Sequence, residues 1–269
     1  GVVVAAPDPL AGNDTLTADA NNTPLHGGAG NDTLTGSWAS STLYGDSGND
    51  VLNATGGPGN VLDGGEGDDT LTGGWGTDTF RGGDGNDIIH APGGSSNISG
   101  GSGNDQITSA WAADTIDAGA GDDIIHPGGG GDTVRGGLGN DQIINELWGN
   151  DRYLYARGDG QDLLLDGNGQ DLLTLEGVQS DQLWFSQVGN DLTVSLIGTQ
   201  DSVTLQNWYL GSQYHVEQIK TSDGKTLLDS QVQNLVSAMA SFAPPAAGQT
   251  TLPAAYQGSL NTVIAANWH

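Results

Sequence analysis

The chain has 269 residues, of which 33 are aspartate or glutamate and only 6 are lysine or arginine, so its formal net charge at pH 7 is -27. Nucleic acids and anionic membranes would be repelled by this charge, which argues against both as partners. The chain has no cysteine, which excludes disulfide bonds and thiolate metal sites. No stretch approaches the roughly 18 consecutive apolar residues of a membrane-spanning helix.

The first ten residues, GVVVAAPDPL, lack the basic start and the long apolar core of a secretory signal. A repeat begins almost at once after them. We therefore expect the sequence to be the C-terminal piece of a longer protein, and its length allows one or two domains.

A glycine-rich phrase of nine residues recurs along the first half of the chain. Examples are GGAGNDTLT (27–35), GGDGNDIIH (82–90) and GGSGNDQIT (100–108). Glycine loses more backbone freedom on folding than any other residue, so an added interaction must offset the cost of ordering these segments.

A single large apolar residue follows every turn at intervals of nine, with one interval of ten. These residues are Leu16, Leu25, Leu34, Leu43, Leu52, Leu62, Leu71, Phe80, Ile89, Ile98, Ile107, Ile116, Ile125, Val134 and Ile143. A short fixed period is typical of a solenoid, because one unit cannot bury its apolar face alone. Two units would form one coil of about 18 residues, with the apolar residues inside.

The phrases resemble the G-G-x-G-x-D-x-U-x nonapeptide of the RTX (repeats-in-toxin) family over residues 9–155. The resemblance implies an all-β fold, a parallel β-roll with calcium held between stacked turns. Calcium prefers about six to eight oxygen ligands, and turns of small residues let several carbonyls converge. One turn would supply carbonyls from positions one and three and the position-five side chain. The next would supply carbonyls from positions two and four and the position-six aspartate.

The resemblance implies one rich row of ligands along one side of the roll, which we call the first edge. Its eight turns would hold up to seven calcium ions between them. The side-chain ligands implied at positions five and six are Asp14, Asn31, Asp32, Asn49, Asp50, Asp68, Asp69, Asn86, Asp87, Asn104, Asp105, Asp122, Asp123, Asn140 and Asp141. The glycines implied at positions two and four are Gly28, Gly30, Gly48, Gly65, Gly67, Gly83, Gly85, Gly101, Gly103, Gly119, Gly121, Gly137 and Gly139.

The intervening turns form the second edge, and most of them are poor in ligands. Position six there reads Thr23, Ser41, Asn60, Asp78, Ser96, Asp114, Asp132 and Asp151. Only the turns of Asp114, Asp132 and Asp151 are expected to hold one or two further ions. The sequence thus predicts a roll with calcium mainly along one edge.

Tryptophan occupies position three in every second turn of the second edge, at Trp38, Trp75, Trp111 and Trp148. The rings would lie about 9.6 Å apart if coils stack about 4.8 Å apart. One interpretation is that each ring covers the glycine-rich turn beside it and replaces a missing ion with apolar burial. The alternative is an aromatic surface for a glycan or another flat ligand.

Residues 156–242 are predicted to cap the repeat array. Asp159, Asp162, Asp166 and Asp171 keep some ligand potential there, but the nine-residue step is lost. Residues 183–209 and 214–228 indicate antiparallel strands, and 229–242 a short helix with Asp229 or Ser230 as its N-cap. The segments QNWY, VEQIKTSDGKTLL and APPAAGQTTLPAAYQG resemble the haemolysin-type calcium-binding-related region.

The tail, residues 243–269, contains no charged side chain of Asp, Glu, Lys or Arg. It resembles the uncleaved C-terminal signal of type I secretion, and the alternative is a disordered terminus. The resemblance as a whole implies a secreted, calcium-binding folding and export module of a larger extracellular protein, with calcium and the type I secretion machinery as partners. No catalytic motif is recognisable, so we predict no enzymatic activity in this chain.

Overall fold

Each nine-residue unit is a turn followed by a short strand, and successive strands alternate between two sheets. The computed structural model describes residues 10–18, 23–54, 56–57 and 59–269. The 12-stranded sheet contains, in spatial order, β1 (Thr15–Thr17), β3 (Thr33–Thr35), β5 (Val51–Asn53), β7 (Thr70–Thr72), β9 (Ile88–Ala91), β11 (Gln106–Ser109), β13 (Ile124–His126), β15 (Gln142–Ile144), β17 (Gln161–Leu165), β21 (Ser202–Leu205), β20 (Asp191–Leu196) and β19 (Leu183–Val188). The 11-stranded sheet contains β2 (Leu25–Ala29), β4 (Thr42–Ser47), β6 (Val61–Glu66), β8 (Thr79–Asp84), β10 (Asn97–Ser102), β12 (Thr115–Ala120), β14 (Thr133–Leu138), β16 (Arg152–Ala156), β18 (Leu172–Glu176), β22 (Gln218–Thr221) and β23 (Thr226–Leu228).

The apolar column predicted from the repeat forms the core between the two sheets. From Leu34 to Ile143 these side chains are at most 5% exposed, while Leu16 and Leu25 at the first coils are only partly buried. Parallel pairing places equivalent residues in register, as in Ile98 beside Ile116. The predicted parallel β-roll is confirmed, because each apolar residue is covered by its equivalents in the coils before and after it.

Parallel pairing continues beyond residue 155. Strand β16 pairs with β18, β17 with β21 and β18 with β22, all parallel. The strict nine-residue step is interrupted here, since Gln142 pairs with Leu163 and Arg152 with Leu172. The segment GQDLL nevertheless occurs at 160–164 and again at 169–173, and it keeps the turn-plus-strand pattern. The division of the chain at residue 155 remains a prediction.

The predicted antiparallel cap is confirmed at the end of both sheets. Strands β19, β20 and β21 form an antiparallel meander, and β22 pairs antiparallel with β23. Short 3-10 turns lie at Ser180–Gln182, Trp208–Leu210 and Ser212–Tyr214.

Helix α1 (Asp229–Met239) follows β23 directly and buries Val232, Leu235, Val236 and Met239. Its N-cap residue is Leu228, so the prediction of Asp229 or Ser230 as the cap is wrong. The reason is that Leu228 pairs with Gln218 in the sheet, which keeps it extended until the helix begins.

The tail contains a second helix, α2 (Ala254–Asn267), which was not predicted. Leu252, Leu260, Ile264 and Trp268 are buried in the core of the cap. The last residue, His269, exchanges two backbone hydrogen bonds with Thr226 of β23. The tail is therefore packed on the cap, which contradicts a disordered terminus. Within the described ranges, no helix is long and apolar enough to cross a membrane.

Candidate metal centre

The position-six aspartates of the first edge form a continuous ladder of hydrogen bonds. The backbone N–H of each aspartate donates to Oδ1 of the aspartate one coil later, at 2.6–3.0 Å. The ladder runs from Asp14 to Asp141 at the predicted positions, and then continues to Asp162. It holds one carboxylate per coil in a single buried column.

The second carboxylate oxygen of these aspartates has no hydrogen-bond partner. Seven buried Oδ2 atoms of the first edge are in this state, those of Asp32, Asp50, Asp69, Asp87, Asp105, Asp123 and Asp141. A buried carboxylate oxygen without a partner is costly, because it has lost water and gained nothing in return. A column of such oxygens fits a row of hard divalent cations.

Small residues lie on both sides of this column, and position one is glycine from Gly27 to Gly136 except for Ala118. A Cβ at Gly64 would lie 2.2 Å from Oδ2 of Asp69, so a larger side chain at this position would crowd the carboxylate. Gly101 has φ +127°, and a Cβ there would lie 2.0 Å from the carbonyl oxygen of Gly83. The turns therefore stack close enough for carbonyls of neighbouring coils to approach the same space.

Position five provides a second ladder on the exposed side of the same turns. Its side-chain oxygens accept from the backbone N–H one coil later, as when Asn104 Oδ1 accepts from Asp122 at 2.9 Å. The column comprises Asn13, Asn31, Asn49, Asp68, Asn86, Asn104, Asp122 and Asn140. Side-chain oxygens thus flank each predicted site from outside as well as inside.

Burial disfavours the ionised form of the first-edge carboxylates. It raises the pKa of Asp69, Asp105 and Asp123 from 3.8 to about 7, and neighbouring aspartates add to the rise by charge repulsion. The pKa of Asp87 and Asp141 rises to about 6 for the same main reason. A bound cation would reverse this effect by favouring the carboxylate.

On the second edge, neighbouring polar side chains satisfy some of the carboxylates internally. The Ser109 hydroxyl donates to Asp114 Oδ2 at 2.5 Å, and Asn145 Nδ2 donates to Asp151 Oδ2 at 2.8 Å. Of the three aspartates predicted to bind metal on this edge, only Asp132 keeps an unpartnered Oδ2. Side-chain donors thus satisfy Oδ2 of Asp114 and Asp151, whereas Oδ2 of the first-edge aspartates from Asp32 to Asp141 has no partner.

Three buried carboxylates converge at the C-terminal end of the second edge. Ligand atoms of Asp151, Asp166 and Asp171 lie within 4.8 Å of one another, and Oδ2 of both Asp166 and Asp171 lacks a partner. Burial raises the pKa of Asp166 to about 9. Asp162 and Asp171 were not included in the predicted rows, although each continues one ladder. The repeated GQDLL segment was the sequence signal for them.

The four tryptophans of the second edge are exposed, with 92%, 83%, 73% and 72% of the side chains of Trp38, Trp75, Trp111 and Trp148 open to solvent. The interpretation that the rings are buried over glycine-rich turns is therefore wrong. The Trp111 ring does lie beside Gly129, but even this ring remains mostly open. Each indole projects from a turn of small residues, so little surrounding surface is available to cover it.

Two family models match the chain. The model of the RTX calcium-binding nonapeptide repeat matches four segments, residues 23–52, 55–89, 93–125 and 108–143. The model of the haemolysin-type calcium binding protein related domain matches residues 191–231, which span β20 to the start of α1. Together with the parallel roll and its buried rows of aspartate, these matches identify the chain as an RTX calcium-binding repeat protein.

Proposed function

We propose that this chain is a calcium-dependent folding and export module at the C-terminal end of a larger extracellular protein. One observation carries the proposal: the column of seven buried first-edge carboxylates, each with an unpartnered Oδ2. Such a column is unfavourable without cations and favourable with them. The fold is therefore conditional on the ions that the first edge binds.

The net charge of -27 also supports a need for cations, because the acidic side chains of the whole chain repel one another when no cation is bound. In a calcium-poor cytoplasm the carboxylates repel one another, and the chain stays loose enough to be exported. Bound calcium supplies positive charge and accepts several oxygen ligands. Sites with dissociation constants of roughly 10⁻⁴ to 10⁻³ M fill outside the cell, and binding to the folded state alone shifts the equilibrium towards it.

The first edge would hold up to seven ions, one between each pair of successive turns from Asp14 to Asp141. On the second edge, Asp132 is the strongest of the three predicted ligands because its Oδ2 is unpartnered. The Asp151, Asp166 and Asp171 group offers a further place for one ion. The second edge would therefore hold one or two ions near its C-terminal end only.

Anomalous scattering from crystals grown with calcium would test this distribution. We expect a row of peaks along the first edge, and one or two peaks confined to the Asp132–Asp171 end of the second edge. Two rows of equal length would contradict the proposed assignment of ligands.

A second candidate function is a surface-binding or glycan-binding module that uses the tryptophan row. The exposure of all four indoles favours it, because aromatic rings that recur along one edge give an exposed apolar surface of the kind that marks interaction sites. The residues on either side of each ring are Ser, Ala, Gly or Leu, so the row is uncharged despite the acidity of the chain. Retention of the calcium-loaded chain on insoluble neutral polysaccharides should fall when Trp38, Trp75 and Trp111 are all replaced by Ala. Unchanged retention would contradict this function.

A further inference from the structure

A cavity of about 620 Å³ lies at the C-terminal end of the tryptophan row. It is lined by residues of the last turns of the second edge and, from the cap, by Ser212, Gln213 and Glu217. Trp148, the last indole of the row, is one wall. The volume is typical of a site for a small ligand.

The cavity is lined mainly by uncharged polar groups. The amides of Asn150, Asn168, Gln170 and Gln213 contribute to it, and no lysine, arginine or histidine does. The one carboxylate, Glu217, already accepts a hydrogen bond from the backbone N–H of Asp171 at 2.7 Å. An anionic ligand would meet no positive charge here and would be repelled by the chain as a whole.

The position-three column alternates between tryptophan and glycine until this point. Trp38, Trp75, Trp111 and Trp148 are separated by glycines, but the residue that follows Trp148 one coil later is Asn168. The cavity therefore combines one open aromatic face with amide donors and acceptors in adjacent coils. Asn150 Oδ1 accepts from the backbone N–H of Gln170 at 2.9 Å, which fixes one of these amides in place.

A neutral saccharide matches this lining. The C–H face of a sugar ring packs on an indole, while its hydroxyl groups exchange hydrogen bonds with amides at the rim. A cationic ligand would also pack on an indole, but the cavity offers a single aromatic wall and one carboxylate that is already engaged.

We propose that this cavity binds the end of a neutral glycan chain, with Trp148 as the stacking surface and the amides of Asn150, Asn168, Gln170 and Gln213 as hydrogen-bonding partners. The proposal rests on the second candidate function, and it adds a defined site of a few sugar units to the open row. A short oligosaccharide can fill the cavity, whereas simultaneous contact with three or more indoles about 9.6 Å apart needs a longer chain.

The test is isothermal titration of the calcium-loaded full chain with neutral trisaccharides: cellotriose, maltotriose, chitotriose and mannotriose. We expect at least one to bind with one site per chain. Trp148→Ala and Asn168→Ala should each weaken that binding by about tenfold or more, and Trp38→Ala should leave it unchanged. Both cavity residues are exposed, so neither substitution removes core packing.

Three results would overturn the proposal: no binding of any of the four trisaccharides, equal losses in Trp38→Ala and Trp148→Ala, or displacement of the trisaccharide by choline at a comparable concentration. Loss of polysaccharide retention in the Trp38, Trp75 and Trp111 variant, with no trisaccharide binding, would leave the row as the ligand surface and reject the cavity. The reverse pair of results would support the cavity and reject the row.

Discussion

Asp105 shows the two roles of a position-six aspartate, which are to link neighbouring coils and to offer an oxygen to a cation. Its Oδ1 accepts from the backbone N–H of Asp87 at 2.8 Å, which links the coils, while its buried Oδ2 has no partner. A Cβ at Gly100 would lie 2.3 Å from that Oδ2, so the approach to it is kept open by glycine. The first role needs only an acceptor, whereas the second needs a negative charge.

Asp105→Asn should therefore separate the two roles. The amide keeps an acceptor for Asp87 and removes a buried charge, so we expect no loss of stability in chelator. In ~10 mM calcium the variant should lose roughly 1–3 kcal/mol of the free energy of unfolding, because the ions at this position bind less tightly. Urea unfolding with and without calcium measures both values.

Asp78→Asn on the second edge is the matched control. Asp78 accepts through both oxygens, from Asn60 and from the backbone N–H of Gly74. An amide cannot accept at both places, so this variant should lose stability equally with calcium and with chelator. An equal loss in Asp105→Asn would contradict a metal role for the first edge.

Gly101→Ala tests the stacking of the turns. Its Cβ would lie 2.0 Å from the Gly83 carbonyl oxygen in a backbone conformation that L-residues avoid. We expect a loss of at least ~3 kcal/mol in both conditions. Gly131→Ala is the control, since its Cβ would meet nothing closer than 3.4 Å. Similar melting temperatures for the two variants would show that close stacking is not required.

At the scale of the element, α2 stabilises the cap. Trp268 lies against Phe185, with ring centroids 6.4 Å apart, and Ile264 is buried beside it in the same cluster. Ile264→Ala and Trp268→Ala should each cost about 2–5 kcal/mol in calcium. Thr262→Ala on the exposed face of α2 should change the urea midpoint little, and a comparable shift there would argue against packing as the cause.

The packed tail also changes how its proposed role in secretion is tested. Deleting residues 243–269 should abolish export, but it also removes buried residues of the cap. The Ile264→Ala, Trp268→Ala double variant keeps the tail and removes its packing, so we expect it to be exported but less stable. Undiminished export of the deletion variant would remove the secretion interpretation.

The elements differ in how far sequence could predict them. The β-roll follows from a strict nine-residue period, and α1 from apolar residues at helical spacing. α2 has no polar cap and starts after Pro253, so only its packing against Trp184, Phe185 and Phe242 identifies it. Asp162 was given some ligand potential but was left out of the predicted row, because 21 residues separate it from Asp141 instead of 18. The inserted residues break the 18-residue spacing in the sequence, but the hydrogen-bond ladder of the position-six aspartates continues across them.

At the scale of the whole molecule, the raised pKa values make stability depend on pH in opposite senses with and without calcium. The folded, metal-free chain holds protons on Asp69, Asp105 and Asp123 up to a pKa of about 7, whereas the unfolded chain releases them near pH ~4. These three aspartates therefore make their full contribution to the free energy of unfolding below pH ~4, and this contribution is lost as the pH rises to ~7.

In calcium the trend should reverse, because the ions require ionised carboxylates. Melting temperatures at pH ~5 and ~7.5 would measure both trends. We predict that the chelated protein has a lower melting temperature at pH ~7.5 than at pH ~5, and that the calcium-loaded protein has a higher one at pH ~7.5 than at pH ~5. A chelated protein that becomes more stable on going to pH ~7.5 would contradict the assignment of buried, protonated aspartates.

We propose that divalent cations make this acidic, glycine-rich roll stable. Far-ultraviolet circular dichroism and thermal melting of the same sample, first in chelator and then in millimolar calcium at neutral pH, test it most directly. We predict a weaker strand signal and a lower melting temperature in chelator, and a strong strand signal with a higher melting temperature in calcium. An identical spectrum and an identical melting curve in both conditions would contradict it.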